Sequence, residues 1–543
     1  MRMSGKLLVK ADVNHFFKYN FDFYFHDLYG KLTFTPHRNH TLAFSSFANK
    51  DYEIGFEDSK IDGYLKSATD DDSAKFSQIS KREVSYANNL FSFSWRAKIS
   101  DKVNTNYQIY QSIGKTIFDI RRRAQFPSDL DNKFFPSRKR VEDDISYFNR
   151  ANGADVLNTF NDTSLKFDVD YLFSERFQMN TGFAVSFYAA NYRWEHAINL
   201  SEYVNLYFDY APKEQFSFRK HFRSGSAYYE IMWYMSEKLH IRSGIRFSRW
   251  NLISDIIPEP RFQLVWQARS HDIFKIAAGK YSQGIATALE RGLVQFLPLF
   301  FPTDERNKLE TAEHYMLTWD HSFSRKTAFS CIAYLKNFHN VLKAVDSDPH
   351  FIRIPARSFG FNFDFNYETD DFSAKLSYMH GYSHRKMNGK LYDAFYDKRN
   401  IVKLFASRDL WHKYSLSLYW EFNTGQPYYT DEYFVFAKSI DSDFINRQIR
   451  PEYYTTQVDP GKIRYPYYHR LDIHLQGHFK LLGKACQPYL SVRNVYNRKN
   501  VLYYKDVYIE RELDENNYVK SQNIVREAFS LAVLPTIGIK IDL

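Results

Sequence analysis

Apolar and polar residues alternate with a period of two along this chain, most clearly in residues 470–480. Leu471, Ile473 and Leu475 fall on one side of that segment, and charged or polar residues fall between them. Because successive side chains of a strand point to opposite faces of a sheet, the segment is predicted to be a strand with one apolar face. Residues 536–543 repeat the pattern up to the last residue, so the chain is predicted to end in a strand of the same kind.

A single amphipathic hairpin is more often part of a soluble antiparallel sheet that covers a core with one face. Here, however, the hairpin recurs along the whole chain. The clearest copy has Phe359, Phe361 and Phe363 alternating with polar residues, a turn at residues 368–371, and a second strand from Phe372. Counting all copies gives about twenty strands, which is the size class of the large outer-membrane barrels.

The predicted connections are strongly unequal in length. Turns inside the hairpins are short, as at residues 101–102 and 174–176, whereas the segments between hairpins are long. The long segments are residues 50–86, 118–160, 283–309, 426–465 and 498–529. Short turns at one rim and long loops at the other are typical of a barrel that spans an outer membrane.

The composition favours a wet barrel over a single deep core. Aromatic residues make up 18% of the chain, with 42 Tyr and 50 Phe, yet the mean hydropathy is −0.52. Rings that face lipid or form belts at its interfaces, with polar residues on the opposite face, explain both values. No run approaches the roughly 20 apolar residues that a membrane helix needs. A closed barrel is then the structure that satisfies every backbone group in lipid.

Charge and cysteine content exclude several classes of function. The net charge is +10 and the pI is about 9.0, but the basic residues are scattered and form no stripe or tail, so no nucleic-acid partner is indicated. Cys331 and Cys486 lie far apart without a CxxC or Cys/His pair, so neither a zinc site nor a disulfide framework is indicated. No motif points to a cofactor, and none supplies the Ser/His/acid set of a hydrolase.

Several short motifs, each weak alone, occur along the chain. The motifs are Glu-Pro-Arg at 259–261, Ala-Gly-Lys-Tyr-Ser-Gln at 278–283, Leu-Glu-Thr-Ala-Glu-His-Tyr at 309–315, Asp-Lys-Arg-Asn at 397–400, Gly-Gln-Pro-Tyr at 425–428, Tyr-His-Arg-Leu-Asp at 468–472 and Asn-Val-Tyr-Asn at 494–497. At the start of the chain Asp27, Leu28 and Lys31 match in spacing only. In their order and spacing over nearly the whole chain, these motifs together resemble the β-barrel of TonB-dependent outer-membrane receptors.

The resemblance implies an all-β fold, a large antiparallel transmembrane barrel with about 20 of the family's 22 strands. It also implies a place in the outer membrane of a Gram-negative bacterium and contact with outer-membrane lipid. The implied activity is not enzymatic: it is uptake of a scarce nutrient such as a siderophore, haem, a vitamin, a glycan or a peptide. The implied partners are the energising TonB complex and a surface lipoprotein.

The chain also departs from the family's pattern. Such receptors carry an N-terminal plug domain and a segment that contacts TonB, and neither is recognised in residues 1–543. We therefore expect one barrel domain over residues 1–543, truncated at its N-terminus, with the terminal strand beside the N-terminal segment. The alternative function is a non-transporting barrel that acts as a surface-binding or structural protein.

Two groups of residues are candidates for function. Aromatic residues in the predicted extracellular loops are candidate ligand contacts, because exposed apolar surface in a loop marks a partner or ligand and rings stack on flat molecules. These are Phe296, Phe300, Phe301, Tyr428, Tyr429, Tyr453 and Tyr454. Packing of the loops on one another explains the same rings equally well.

The second group is the polar face of the strand in residues 470–480, which is predicted to line the lumen. Arg470 and Asp472 can pair at a spacing of two, and His474 and His478 follow on the same face. Residues four apart on a strand are separated by roughly 13 Å, so the two histidines are predicted to be wet lumen residues and no metal site is indicated. On the opposite face we expect Leu471, Ile473, Leu475, Ile537, Ile539 and Ile541 to point outward.

Overall fold

A computed structural model describes most of the chain. The described residues are 2–13, 21–59, 65–66, 73–74, 77–125, 150–199, 214–253, 255–288, 299–303, 309–345, 348–387, 389–411, 413–428, 433–437, 453–456, 463–481, 483–513, 519–529 and 532–541. They form strands, turns and extended segments. A membrane-spanning helix is not found among them.

The strands follow one another along the chain with few interruptions. In chain order they are β1 (Arg2–Val13), β2 (Phe21–His37), β3 (His40–Ser59), β4 (Leu65–Lys66), β5 (Ser73–Ala74), β6 (Ser77–Lys98), β7 (Val103–Gln125), β8 (Arg150–Ser174), β9 (Phe177–Asn199), β10 (Glu214–Ser236), β11 (Leu239–Trp250), β12 (Ile256–Arg269), β13 (Asp272–Gln283), β14 (Ile285–Ala288), β15 (Leu299–Pro302), β16 (Glu310–Ser322), β17 (Thr327–Val345), β18 (Asp348–Glu368), β19 (Phe372–Met387), β20 (Lys390–Asp393), β21 (Asn400–Leu410), β22 (Tyr414–Asn423), β23 (Pro427–Tyr428), β24 (Tyr433–Ala437), β25 (Tyr453–Thr456), β26 (Ile463–Arg464), β27 (Tyr468–Gly477), β28 (Phe479–Leu481), β29 (Lys484–Arg493), β30 (Val501–Leu513), β31 (Val519–Phe529) and β32 (Leu534–Ile541).

One sheet of 22 strands makes up the wall, counted over the described residues. Two of its members, β20 and β28, are pieces of four and three residues beside β19 and β29, so about twenty long strands remain. Each long strand pairs antiparallel with the next long strand along the chain, from β1–β2 to β29–β32. The predicted all-β antiparallel barrel of about twenty strands is therefore confirmed.

The two ends of this ladder are β1 and β32. Within the described ranges β1 pairs with β2 and β32 pairs with β29, and no register joins β1 to β32. That the terminal strand lies beside the N-terminal segment stays a prediction.

The outer face of the wall is apolar. Residues directly opposite each other in an antiparallel pair share a face, and Leu475 lies opposite Leu416 on one side and Leu490 on the other. Leu475 is 37% exposed and Ile539 is 57% exposed. Exposed aromatic and aliphatic side chains line the same face around the sheet, including Phe44, Phe93, Leu165, Phe183, Trp233, Phe262, Leu317, Phe361 and Leu404.

Aromatic rings form continuous rows on this face near the short turns. Trp95 lies 5.0 Å from Tyr107, ring centroid to ring centroid, and Tyr107 lies 4.7 Å from Phe167. Farther around the wall Phe274 lies 5.8 Å from Trp266 and stacks on Trp319 at 6.3 Å. Rows of rings at one height are typical of the interfacial girdle of a barrel in a bilayer.

The connections alternate between the two rims, as predicted. At one rim, the short-turn end, hairpin turns join the strands directly, as between β12 and β13 or β18 and β19. At the other rim, the long-loop end, the connections carry β14–β15, β23–β26 and a four-stranded sheet of β25, β24, β30 and β31. Some connections at the long-loop end are nevertheless short, such as residues 251–255 after β11 and residues 346–347 after β17.

Candidate ligand site at the long-loop end

Polar side chains cover the inner face of the wall. Tyr228 on β10 donates a hydrogen bond to Asp168 on β8 over 2.7 Å, and its hydroxyl also lies 2.9 Å from the Asn180 side-chain oxygen on β9. Lys166 forms an ion pair with Asp168 at 3.2 Å. These contacts tie three neighbouring strands together through side chains that would be unfavourable in lipid, so this face encloses a wet lumen.

Arg470 and Asp472, which are predicted to face the lumen, form an ion pair on β27. The Arg470 Nε lies 3.0 Å from the Asp472 Oδ1, and the same carboxylate oxygen accepts a hydrogen bond from the Asn494 amide over 2.9 Å. The Arg470 guanidinium also lies 5.9 Å from the centre of the Tyr419 ring. Two strands and the turn after β29 are thus joined at one inward-facing charge pair.

The two predicted lumen histidines lie in different settings. His474 is within β27, where its Nε2 is 3.3 Å from the Gln476 side-chain oxygen and its ring is 5.4 Å from that of Tyr489. His478 lies just beyond β27, is exposed, and has its Nε2 3.2 Å from the Ser415 hydroxyl. Groups of three or more ligating side chains suited to a metal are not found in the described part of the chain.

The recognised motifs meet one another towards the long-loop end of β12 to β29, where they form a series of hydrogen-bonded clusters that we call the polar belt. It comprises Glu259, Arg261, Tyr281, Glu310, Arg353, Asp393, Asp397, Arg399, Arg464, Asp472, Asn494 and Asn500. Each cluster joins residues from two or three neighbouring connections or strand ends, as three of them show below.

In the first cluster, Glu259 is nearly buried and pairs with Arg261 at 3.2 Å. The carboxylate also accepts a hydrogen bond from the Ser282 hydroxyl. The Arg261 guanidinium lies 4.8 Å above the ring of Tyr281, and that ring lies 4.7 Å from His314 on β16. The motif at 259–261 is therefore held by the motif at 278–283, which explains why the two occur together.

The second cluster centres on Asp393 and Asp397. Arg464 donates to Asp393 over 2.6 Å and to Asp397 over 3.3 Å, and its Nη1 reaches the carbonyls of Asp397 and Gly425 at 3.0 and 3.1 Å. The Arg399 Nη2 donates to both carboxylate oxygens of Asp393, over 2.8 Å to Oδ1 and 2.7 Å to Oδ2. The Asp397 side chain is fully buried and lies 3.3 Å from the Arg464 guanidinium and 3.4 Å from that of Arg399.

This cluster also explains a glycine. A Cβ at Gly425 would lie 1.6 Å from the carbonyl oxygen of Tyr465, so no larger residue fits between the two chain segments. The carbonyl of Gly425 meanwhile accepts from Arg464. The Gly-Gln-Pro-Tyr motif thus brings two loop segments into backbone contact at the rim.

The pKa of Asp393 gives the cluster a predictable pH response. Burial alone would raise this pKa, but hydrogen bonding and charge from Arg464 and Arg399 lower it below its ordinary value of 3.8. A depressed folded-state pKa contributes stability above the ordinary value, which is lost as the pH falls through the folded value. The difference between the apparent melting temperatures of the wild type and Asp393→Asn should therefore shrink as the pH falls from about 5 and vanish below 3.8. A difference that instead grows in acid would contradict this assignment.

The third cluster joins the motif at 468–472 to the segment that follows β29. Asn500 accepts from the His469 amide over 3.1 Å and donates to the His469 carbonyl over 2.9 Å, as a strand partner would. Asn494 donates to the Arg498 carbonyl and accepts from its amide. Asn494 and Asn497 have φ values of 56° and 52°, in the left-handed region that Asn tolerates better than most residues. These turns direct the chain from β29 towards β30.

A hairpin made of β14 and β15 turns back over the lumen instead of extending away from the rim. The Asn158 side chain on β8 donates to the Phe300 carbonyl over 3.2 Å and accepts from the Phe300 amide over 3.0 Å. Asn158 is 1% exposed. The Phe300 ring lies 5.6 Å from that of Phe160. The hairpin is therefore clamped to a wall strand that is 142 residues away in sequence.

An aromatic shelf stands beside the clamp on the inner wall. Tyr188 stacks on Phe222 at 4.8 Å and on Trp250 at 5.6 Å. The base of the hairpin packs directly on this shelf, because a Cβ at Gly284 would lie 2.4 Å from the Trp250 ring. Phe222 is 4% exposed, and the hairpin base covers part of the shelf. The shelf and Phe300, at the rim with the long loops and next to a wet lumen, are the candidate surface for an incoming ligand.

Among the predicted loop contacts, Phe300 lies beside this shelf, where its ring is 5.6 Å from that of Phe160, and the Phe160 ring is 5.8 Å from that of Tyr188. Phe296 and Tyr429 lie outside the described residues. Phe301 is on β15, Tyr428 on β23, and Tyr453 and Tyr454 on β25, and their backbones alone are described. Their role in ligand binding stays a prediction.

No signal in the sequence identifies Asn158, Tyr188, Phe222 and Trp250 as residues of the candidate site. Each occupies an inward position of an alternating strand, where a polar residue or a ring is unremarkable. Their common location follows from the register of β8 to β11 and from the inward turn of a loop hairpin. Neither can be read from local pattern.

No protein-family model matches this sequence. A search of curated proteins finds no match either. Solved structures do match. FpvA of P. aeruginosa, solved with a heterologous ferric pyoverdine, matches with a TM-score of 0.60 and 10% identity over 99% of this chain and 67% of that chain. The siderophore receptor PiuA from Acinetobacter baumannii matches with a TM-score of 0.60 and 11% identity over 99% of this chain and 78% of that chain.

The ferric-catecholate import receptor Fiu from E. coli K12 matches with a TM-score of 0.60 and 9% identity over 99% and 78% of the two chains. These matches cover nearly all of this chain, and the chain spans about two thirds to four fifths of theirs. At this identity the likeness concerns the fold. The resemblance to TonB-dependent receptor barrels is confirmed at that level.

Proposed function

We propose that this chain, which has the fold of the TonB-dependent receptor barrel, serves as an outer-membrane receptor and transporter barrel for a scarce nutrient in a Gram-negative bacterium. The observation that carries the proposal is the division of the wall into an apolar outer face, ringed by aromatic residues, and a polar inner face. Such a wall suits a lipid bilayer around a wet passage. An apolar outer face around a polar interior is not expected of a soluble sheet or of an enzyme core.

The polar belt and the aromatic shelf support ligand capture at the long-loop end. The belt braces the rim through buried charge pairs, so the loops start from a fixed frame. The shelf, with Phe300 clamped beside it, offers rings to a flat or partly apolar ligand. The ligand classes that fit are a siderophore, haem, a vitamin, a glycan or a peptide. Ferric siderophores are the first to test, because the similar receptors are named for them.

In this proposal residues 1–543 make up the barrel domain of the receptor. Energy from the TonB complex would reach that domain through a plug, and a surface lipoprotein would assist capture at the loops. These partners follow from the family resemblance.

A binding and uptake experiment tests the proposal. The chain is refolded into liposomes, and quenching of tryptophan fluorescence is measured with ferric siderophores, haem and cobalamin. Saturable binding of one class, with uptake that requires TonB in cells carrying this protein, would support transport. Binding without uptake would favour the non-transporting surface protein. A chain that folds without bilayer or detergent would overturn the proposal.

The Asn158 clamp gives a sharper prediction. Asn158→Ala removes both side-chain hydrogen bonds to Phe300, each worth about 1 kcal/mol, and leaves the Phe300 amide unpaired. Released from β8, the hairpin should move away from the wall. We expect a larger and noisier single-channel conductance than that of the wild type in planar bilayers.

Thr159→Ala is the matched control, since Thr159 is next in β8 and faces the other side of the wall. It should leave the conductance unchanged. Equal conductance of Asn158→Ala and the wild type would mean that the hairpin does not narrow the passage.

A further inference from the structure

Basic side chains gather on the outer face of the wall near the long-loop end. Arg219, His221 and Arg223 occupy alternate positions of β10, and all three are exposed, whereas the intervening Phe222 is buried. Arg249 on β11 is exposed on the same face, because it lies opposite Gly225, the next outward residue of β10 after Arg223. We call these four residues the basic outer patch.

Among the side chains that the structure describes on the outer faces of β9, β10 and β11, none is a carboxylate. Asp255 lies in the connection that follows, one residue before the β12 partner of Arg249. Same-face residues are about 6.6–6.8 Å apart along a strand, so the patch spans roughly 13 Å from Arg219 to Arg223. That span accommodates more than one phosphate group.

A bare groove runs from the patch down β10 towards the short-turn end. Its floor is Gly225 and Ala227, and a Cβ added at Gly225 would meet no atom within 4 Å. Its sides are rings: Phe187 lies opposite Arg223, and Ala227 lies between Phe183 and Phe247. Phe187 is 56% exposed and Phe247 is 46% exposed. The groove has the width of one strand and continues into the apolar outer face.

We propose that the basic outer patch and the groove form a binding site for a phosphate-bearing lipid of the outer leaflet. The phosphates would pair with Arg219, Arg223 and Arg249, since guanidinium groups suit phosphate geometry. One acyl chain would lie on Gly225 and Ala227 between the rings. The proposal rests on the proposed membrane location and goes beyond it, because it assigns a specific lipid site to one sector of the wall.

The order of the two features supports a lipid over a free anion. Charge lies above and apolar surface lies below, along a single strand, in the order in which a headgroup and its chain would meet a barrel in a membrane. A soluble anion would use the arginines and leave the groove empty.

The test uses the refolded chain in neutral detergent and three probes: lipid A, which carries two phosphates, phosphatidylcholine, and inorganic phosphate. Bound lipid is measured by native mass spectrometry. We expect lipid A to bind the wild type at least tenfold more tightly than phosphatidylcholine. The variant Arg219→Gln/Arg223→Gln/Arg249→Gln should lose most of that preference, at about fivefold per charge removed.

A matched control removes three basic side chains from the short-turn end. Arg176, Lys238 and Lys326 are exposed there, and the variant with Gln at all three positions has the same net charge as the patch variant. It should bind lipid A as the wild type does. Gly225→Phe fills the groove without a clash and should weaken lipid A binding while leaving the three arginines in place.

Equal lipid A binding by the wild type and the patch variant would overturn the proposal, as would inorganic phosphate competing with lipid A at equal affinity. Folding of each variant into phosphatidylcholine vesicles is measured separately. A wild type that folds there but shows no lipid A preference refutes the lipid site alone. A wild type that does not fold in any bilayer refutes the membrane barrel.

Discussion

Replacing Leu317 with Arg is expected to destabilise folding into a bilayer by about 2 kcal/mol, the lower end of the midplane cost, because Leu317 is one outward position from Trp319 in the ring girdle. Leu317 lies near the middle of β16, is 52% exposed, and lies opposite Ile276 and Ala333. Its same-face neighbours are Tyr315 and Trp319, so the new charge could reach water only past a ring on either side. Urea titration of the chain in phosphatidylcholine vesicles measures the effect.

Thr318→Arg is the matched control one residue along the same strand. Thr318 points to the inner face, where it lies opposite Lys275 and Ile332. A cation there meets water, so we expect a change of well under 1 kcal/mol. Equal costs for the two variants would mean that the two faces of β16 do not differ in environment.

Loss of Arg464 is expected to cost about 3 kcal/mol, at the lower end of the range for breaking a buried charge pair because the side chain is 25% exposed. Arg464→Ala removes the shortest contact of Asp393 and one of the two cations next to the buried Asp397 carboxylate. The backbone carbonyls of Asp397 and Gly425 lose their donor as well. We expect a lower melting temperature and faster proteolysis of the loops at the long-loop end.

Arg357→Ala provides the comparison. Arg357 is exposed on β18, and its guanidinium donates to the Asn337 side chain over 2.9 Å. Its loss should cost less than about 1 kcal/mol. If Arg464→Ala proved as mild, the second cluster of the polar belt would contribute little to the rim.

The strands themselves were predictable from the sequence, because a period of two is a local property of each segment. In β18 the alternation of Phe359, Phe361 and Phe363 with polar residues fixes which side chains face outward. The short turns predict which strands are neighbours, because two strands joined by a short turn can pair only with each other across that turn. These two rules give the order and direction of nearly the whole wall.

Strand ends were less predictable. The alternation of residues 470–480 suggested one uninterrupted strand, but β27 ends at Gly477 and β28 begins at Phe479. The Phe479 ring lies over Gly477, where a Cβ would come within 2.4 Å of it. His478 therefore sits at a break, and its amide bonds to the Lys413 carbonyl. The alternation of apolar and polar residues continues across this break, which depends on the Phe479 ring and on Gly477.

The candidate site was predictable in part. Motifs such as 259–261 and 397–400 drew attention to residues that do meet in the polar belt, but the sequence did not say which motif contacts which. The Asn158 clamp on Phe300 joins residues 142 positions apart, and such a partner depends on how a loop folds over the lumen. Local pattern carries no information about that choice.

In the proposed barrel, alternate residues of each wall strand face lipid and water. Spin labels placed singly at positions 314–319 of β16, in the chain refolded into vesicles, test it through collisions with oxygen and with a water-soluble nickel complex. Oxygen accessibility should peak at positions 315, 317 and 319, and nickel accessibility at 314, 316 and 318. Profiles without this alternation, or with nickel reaching position 317 as readily as 316, would contradict the barrel described here.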